Sequence, residues 1–259
     1  MPLPTEPINL TGGCSCGAIR YRIDVPEHSL RPNLPFLPKE AGVRMPNTVT
    51  CHCNDCRRHA GSPLPCLLVQ VPAPMITVSV LAPSDTPKPS SAANVVTGRI
   101  LDVLHKEYDA AKVDASRPPY RPAMDVLRAI EGSGASNDTG STWLRFFHSV
   151  GAGENASRSF CGRCGTQFCF HFKLIPEYCH GGELPDGWVD MFDIFAGTMD
   201  REFLEKDWVL PDSEVNFKCG TLVGRTISAS SKYLKDLPKF QGMGDEDVPR
   251  DEVDALAVE

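Results

Sequence analysis

The chain has little positive charge to spare, few aromatic residues and no long uninterrupted apolar run. Its 26 Lys and Arg stand against 33 Asp and Glu, a formal charge of −7. That balance argues against the basic face that phosphate backbones require, so no nucleic-acid partner is expected. The most apolar window, Leu64 to Leu81, is broken by Pro65, Pro72 and Pro74 and has Gln70 at its middle. It is too interrupted to span a bilayer as a helix, so no membrane partner is expected either. Residues 1–13 lack a basic start and an apolar stretch, which predicts no secretory signal and a cytoplasmic protein. The 41% of hydrophobic residues still suffices for a sizeable core and argues against wholesale disorder.

Glycine and proline are plentiful, at 21 and 23 of 259 residues, so many turns and few long helices are expected. Strand patterns appear at Gly17 to Val25, Leu67 to Val71, Ile76 to Leu81, Trp143 to His148, Gln167 to Leu174 and Trp188 to Phe195. A Pro-rich connection fills residues 26–46, and Pro72-Ala-Pro74 kinks the chain between two strands. Ile100, Val103, Leu104, Tyr108 and Ala111 fall at helical spacing, and Ala123 to Glu131 reads as a shorter helix. The pattern is that of a single β-rich domain over residues 1–240, interrupted by a partly helical insertion at about 83–142. Residues 241–259 hold seven acids and one base, which reads as a solvated, flexible tail and leaves the body near neutral.

Cysteine is the residue present in excess: eleven in all, an odd number in a chain expected to stay reduced. Seven fall in three tight groups, Cys14-Ser-Cys16, Cys51-His-Cys53-Asn-Asp-Cys56 and Cys161-Gly-Arg-Cys164-Gly165. Pairs one or two residues apart can bite one zinc ion, and Gly165 allows the positive-φ turn that aims backbone amides at the thiolates. Four thiolates close one structural site, and three leave a second site with an open position. Cys53 and Cys56 with Cys161 and Cys164 would make a zinc ribbon. Cys14 and Cys16 with Cys161 and Cys164 would leave Cys51, Cys53 and Cys56 as an open triad, which their proximity favours. The plain alternative is one structural zinc with incidental extra cysteines.

Three runs then become specific together: Gly13-Cys-Ser-Cys-Gly17 with Tyr21; Cys51-His-Cys53-Asn-Asp-Cys56-Arg57 with Gly61-Ser62; and Arg158-Ser-Phe160-Cys161-Gly-Arg-Cys164-Gly165-Thr166. With the later Gly197-Thr198-Met199-Asp200, this pattern resembles the glutathione-dependent formaldehyde-activating enzyme family, which includes centromere protein V. The resemblance runs from Gly12 to about Asp200, outside long insertions, and does not extend past Trp208. It implies a β-tent fold of bent antiparallel sheets clamped by two zinc ions. It assigns Cys14, Cys16, Cys161 and Cys164 to a structural zinc, and Cys51, Cys53 and Cys56 to a labile catalytic zinc. The implied activity is that of a carbon–sulfur lyase or thiol-adduct synthase, with glutathione and an aldehyde, or their adduct, as small-molecule partners. Insertions that border a pocket alter substrate choice, and the alternative reading is a non-catalytic, zinc-stabilised scaffold that binds protein.

Beside the triad, Arg57 is the expected cation for offsetting thiolate charge, with Arg58 next to it, and His52 and His59 are candidate proton shuttles. Ser62 is a candidate contact on the turn that Gly61 shapes. Cys66 reads as a buried small hydrophobe, and Cys179 and Cys219 have no ligand-spaced neighbours. In Gln167 to Leu174, alternation predicts Phe168, Phe170 and Phe172 on one strand face, with Cys169 and His171 packed on the other.

Overall fold

A computed structural model describes residues 3–86, 115, 117–128, 141–148, 156–188, 190–242 and 247–257. Its strands are β1 (Ile8–Gly13), β2 (Ile19–Val25), β3 (Asn47–Cys51), β4 (Cys66–Pro72), β5 (Ile76–Val80), β6 (Arg121–Pro122), β7 (Leu144–Phe147), β8 (Ala156–Cys161), β9 (Gln167–Phe172), β10 (Met191–Phe195) and β11 (Ser213–Val215). Short helices are α1 (Asn54–Ala60), α2 (Ala123–Val126), α3 (Arg201–Leu204), α4 (Leu222–Ser230) and α5 (Arg250–Leu256). The chain is therefore mainly β, with few helices among the described residues. The expected helix over Ile100 to Val113 lies outside them.

Four strands form one sheet in the order β1-β2-β5-β6, and seven form a second in the order β11-β3-β4-β10-β9-β8-β7. Pairing is antiparallel except between β11 and β3, which run parallel. The proline kink acts as the hinge between the sheets: a 3-10 turn at Ala73–Met75 carries the chain from β4 in the large sheet to β5 in the small one. Proline cannot continue a ladder, so the strand ends where the core needs it to bend. Alternation on β2 turns Ile19, Tyr21, Ile23 and Val25 inward, where they meet Val69 and Val71 of β4, Phe168 of β9 and Ile194 of β10 in one shared core. Arg20 is buried too, because both its Nη atoms meet Asp200, Nη1 at 2.8 Å from Oδ1, and Thr11 donates to the same carboxylate.

Three placements were not legible in the sequence. Within the Pro-rich connection, Leu34, Phe36 and Met45 pack with Leu174, Cys179 and Met191 in a satellite core. On β9 the register slips opposite Ser159 and Phe160, so Phe168 is the extra residue of a bulge. It therefore leaves the face of Phe170 and Phe172 and stacks on Tyr21, centroids 6.4 Å apart. The acidic end, read in the sequence as a solvated tail, carries α5 within the described residues 247–257. Val248 and Val253 bury against Phe217, and Lys218 Nζ meets Glu252 Oε1 at 2.7 Å. Apolar residues at helical spacing within an acidic stretch give α5 one face to bury, and its acids keep the other in water.

Candidate functional site

Two cysteine groups assemble from distant parts of the chain. In the first, Cys14 and Cys16 sit on the β1–β2 connection, Cys161 ends β8 and Cys164 lies in the turn that follows. Their sulfurs lie within 4.8 Å of one another. Cys16 Sγ is 3.7 Å from Cys14 Sγ and 3.8 Å from Cys161 Sγ. A tetrahedral ion with metal–sulfur bonds of about 2.3 Å requires sulfur–sulfur edges of about 3.8 Å, so the set fits such an ion. The same spacing is far beyond disulfide length, and all four thiols are free. Gly165 turns the chain at φ 77° and donates its amide to Cys161 O at 2.8 Å. The amide of Ile19 reaches Cys14 Sγ at 3.2 Å. Hydrogen bonding to Cys16 pushes the Cys14 thiol up, whereas contact with Cys14 pulls Cys164 down, so the four share charge as one unit.

The second group is Cys51, Cys53 and Cys56, three sulfurs also within 4.8 Å of one another. Cys51 ends β3, Cys53 caps α1 and Cys56 lies in the first turn of that helix. Each sulfur faces N–H donors from a different source. The amide of Cys56 donates to Cys53 Sγ at 3.3 Å, Asn216 Nδ2 lies 3.6 Å from Cys51 Sγ, and Arg158 Nη1 and Nη2 both lie 3.8 Å from Cys56 Sγ. Hydrogen bonds from Cys51 and Cys56 pull the Cys53 thiol down to about 2, while the contacts with Cys53 and Cys56 push Cys51 up. Among the described residues no fourth ligand joins these three, which leaves one position of a tetrahedral ion to a non-protein group.

The cation beside the triad is Arg158, not Arg57. Arg57 folds back along α1, with Nε and Nη2 at 3.4 and 3.3 Å from Asn54 Oδ1. Arg158 lies on β8, buried, with its guanidinium 4.5 Å over the ring of Phe170 and 3.8 Å from Asp55. Sequence reasoning quoted Arg158 but gave it no role, although a charged residue within a strand that leads into a cysteine knuckle is a usable signal. The two histidines part company. On an extended segment neighbouring side chains alternate, so His52 turns away from Cys51 and Cys53. It is only 3% exposed, stacks edge-on against Phe217 and holds Glu214 Oε2 at 2.6 Å through Nε2. Enclosed there, it ties the segment after β3 to Glu214 and is shielded from solvent. His59 instead packs against Phe147, centroids 5.0 Å apart. With Phe147, Arg158, Phe160, Gly165 and Gln167 it lines a cleft of about 280 Å³, which shares Arg158 with the triad. Burial, with help from Arg158, holds the His59 imidazole below its ordinary value.

The remaining predicted residues fall as follows. Gly61 ends α1, and Ser62 Oγ accepts the amide of Leu64 at 3.1 Å; Arg58 is exposed. Cys66 is buried opposite Cys51 in the β3–β4 ladder, its Sγ 3.4 Å from Cys56 O, so it packs against the triad more closely than its sequence context indicates. Cys169 lies in the main core, and His171 Nε2 is 2.8 Å from Asp190 Oδ2, which leaves the pair in packing roles. Cys179 belongs to the satellite core and Cys219 is exposed. Asn216 had no sequence signal, since its place depends on β11 pairing beside β3. Among the described residues no helix is long and apolar enough to cross a membrane. No protein-family model matches the chain, and no curated protein matches it.

Proposed function

We propose that the protein is a zinc-dependent carbon–sulfur lyase or thiol-adduct synthase, built on a β-tent of the formaldehyde-activating type and acting on glutathione conjugates or small aldehydes. The observation that carries this reading is the inequality of the two cysteine groups. One has four thiols and fits a closed, structural ion; the other has three thiols, a buried guanidinium and a cleft beside it. Zinc at the triad supplies Lewis acidity and depresses the pKa of a thiol bound to it.

The protein's own groups do the rest. Three thiolates around a divalent cation carry a net negative charge, which repels an incoming thiolate; Arg158 beside Cys56 offsets that charge. Phe147 and Phe160 give the cleft apolar walls against which a small aldehyde can rest. His59, kept largely neutral near pH 7, is the proton acceptor on that wall. In the synthetic direction the substrate sulfur adds to the carbonyl carbon, the C=O π pair moves to oxygen, and the thiol proton ends on that oxygen. In the lyase direction the C–S bond breaks and the same proton returns to sulfur. Neither direction needs an oxidant or a reductant.

The test measures turnover with glutathione and a panel of aldehydes in zinc-loaded wild type, Cys53→Ala, Arg158→Met and Arg57→Ala. Cys53→Ala should abolish turnover. Arg158→Met should raise KM for the thiol by about tenfold, the loss of one charge-assisted contact, and Arg57→Ala should leave it within about twofold. No turnover in wild type across the panel, or equal rates in wild type and Cys53→Ala, overturns the proposal and leaves a zinc-stabilised scaffold.

A further inference from the structure

We infer that Asn216 is a positioning residue of the three-cysteine centre, holding the Cys51 sulfur through its side-chain amide. This inference rests on the reading that the triad binds a metal, and it extends the centre into the chain beyond Trp208. Three observations converge on it. First, β11 runs parallel to β3 with Val215 opposite Cys51, so the next residue along, Asn216, is delivered to the end of the strand where the triad begins. Its Nδ2 lies 3.6 Å from Cys51 Sγ. Second, its backbone is left-handed, φ 54° and ψ 36°, and no other non-glycine among the described residues has a positive φ. That conformation costs roughly 1 kcal/mol or more for an L-residue and is met most cheaply by glycine, with Asn and Asp next. A position needing only the turn is served best by glycine, so an amide held there at 3.6 Å from a buried thiol points to the side chain. Third, the residue is pinned on both sides: its own N–H donates to Gly242 O at 3.2 Å, and Phe217, fully buried, donates to Phe240 O at 3.1 Å.

The physical consequence follows from burial. A thiolate at Cys51 is shielded from water and gains most from a fixed N–H donor. Cys53 and Cys56 draw theirs from the α1 backbone and from Arg158; Cys51 draws its own from the C-terminal segment. Such partners to ligand atoms set ligand basicity and orientation, and losing one weakens metal binding by about 10- to 100-fold.

Two variants separate the amide from the backbone. Asn216→Gly keeps the left-handed turn and removes the donor. Asn216→Asp keeps turn and volume and replaces the donor with an acceptor. The full-length protein is titrated with cobalt(II) against a chromophoric chelator, following the sulfur-to-cobalt charge-transfer band and the melting temperature. Wild type should take two ions, one held more weakly. Asn216→Gly should leave the tight ion and the melting temperature unchanged, weaken the second ion by about tenfold and move its charge-transfer band to lower energy. Asn216→Asp should weaken it further, through repulsion between carboxylate and thiolate. A glycine variant with wild-type affinity and an unshifted band overturns the inference. Wild type that takes a single ion overturns it together with the two-metal reading. If wild type shows these metal effects but no turnover, the enzymatic reading fails and this one stands.

Discussion

The exchange of Arg57 for Arg158 illustrates what single residues contribute. A guanidinium adjacent in sequence to Cys56 points along its own helix, because neighbours on a helix do not share a face. One 102 residues away reaches the sulfur, because β8 lies close by in space. Asp193 is a second buried charge of consequence. It is enclosed on β10, accepts a 3.3 Å bond from Gln70 Nε2, and burial pushes its carboxyl up to about 7. Its folded-state value lies above the unfolded carboxylate value of about 3.9, so between these limits the folded protein binds the extra proton. Stability from this group is complete below about pH 4 and is lost as pH rises through about 7. Denaturant midpoints measured from pH 4.5 to 8 should therefore show a downward slope in wild type that flattens in Asp193→Asn; parallel slopes in the two proteins exclude Asp193 as its source.

At the scale of elements, β11 matters beyond its three residues. It carries Glu214, fully buried, whose carboxylate holds His52 through Oε2, accepts from Ser228, and meets Lys239 Nζ at 3.1 Å. Burial alone raises this carboxyl, yet the contacts with His52, Ser228 and Lys239 outweigh it and leave the value lowered. Glu214→Gln keeps the shape and leaves the Lys239 ammonium uncompensated, which should destabilise the protein by roughly 3 kcal/mol, read from urea unfolding. A change below about 0.5 kcal/mol would show that the carbonyls of Leu234, Lys235 and Leu237 around Lys239 suffice. Strands with clear alternation, such as β2 and β5, were legible in the chain, give or take their ends, and β10 was legible as a short apolar run. β11 was not, because three residues in a parallel pairing carry no period; nor was the bulge at Phe168, because a register slip is fixed by the partner strand.

Across the whole molecule, the four-cysteine group joins the two sheets. Cys14 and Cys16 belong to the hairpin of the small sheet, Cys161 and Cys164 to the end of the large one. A metal closing that set links segments 145 residues apart, and such sites contribute about 10–16 kcal/mol to folding. The triad, by contrast, lies within one turn-and-helix segment whose backbone is already held by the β3–β4 ladder and by His52. Stepwise chelation should therefore remove the triad ion first, with the melting temperature nearly unchanged. Loss of the second ion, or Cys164→Ser, should lower it by more than about 10 °C. Metal content tracked beside the melting curve checks the order; simultaneous loss of both ions with unfolding would mean that the triad also holds the fold.

The chain by itself determined that seven cysteines fall in three ligand-spaced groups and that the body is β-rich, since ligand spacing and strand patterning are local properties; the fold decided that Cys14 and Cys16 meet Cys161 and Cys164 and leave Cys51, Cys53 and Cys56 as a separate triad. It carried Arg158 and Asn216 without marking them, and its acidic end gave no sign of the contacts that Val248 and Val253 make with Phe217. Those points were decided by tertiary structure alone: which strand lies beside which sets what a sulfur can touch, and which apolar face lies near Phe217 sets where Val248 and Val253 are buried in a stretch whose charge points to water.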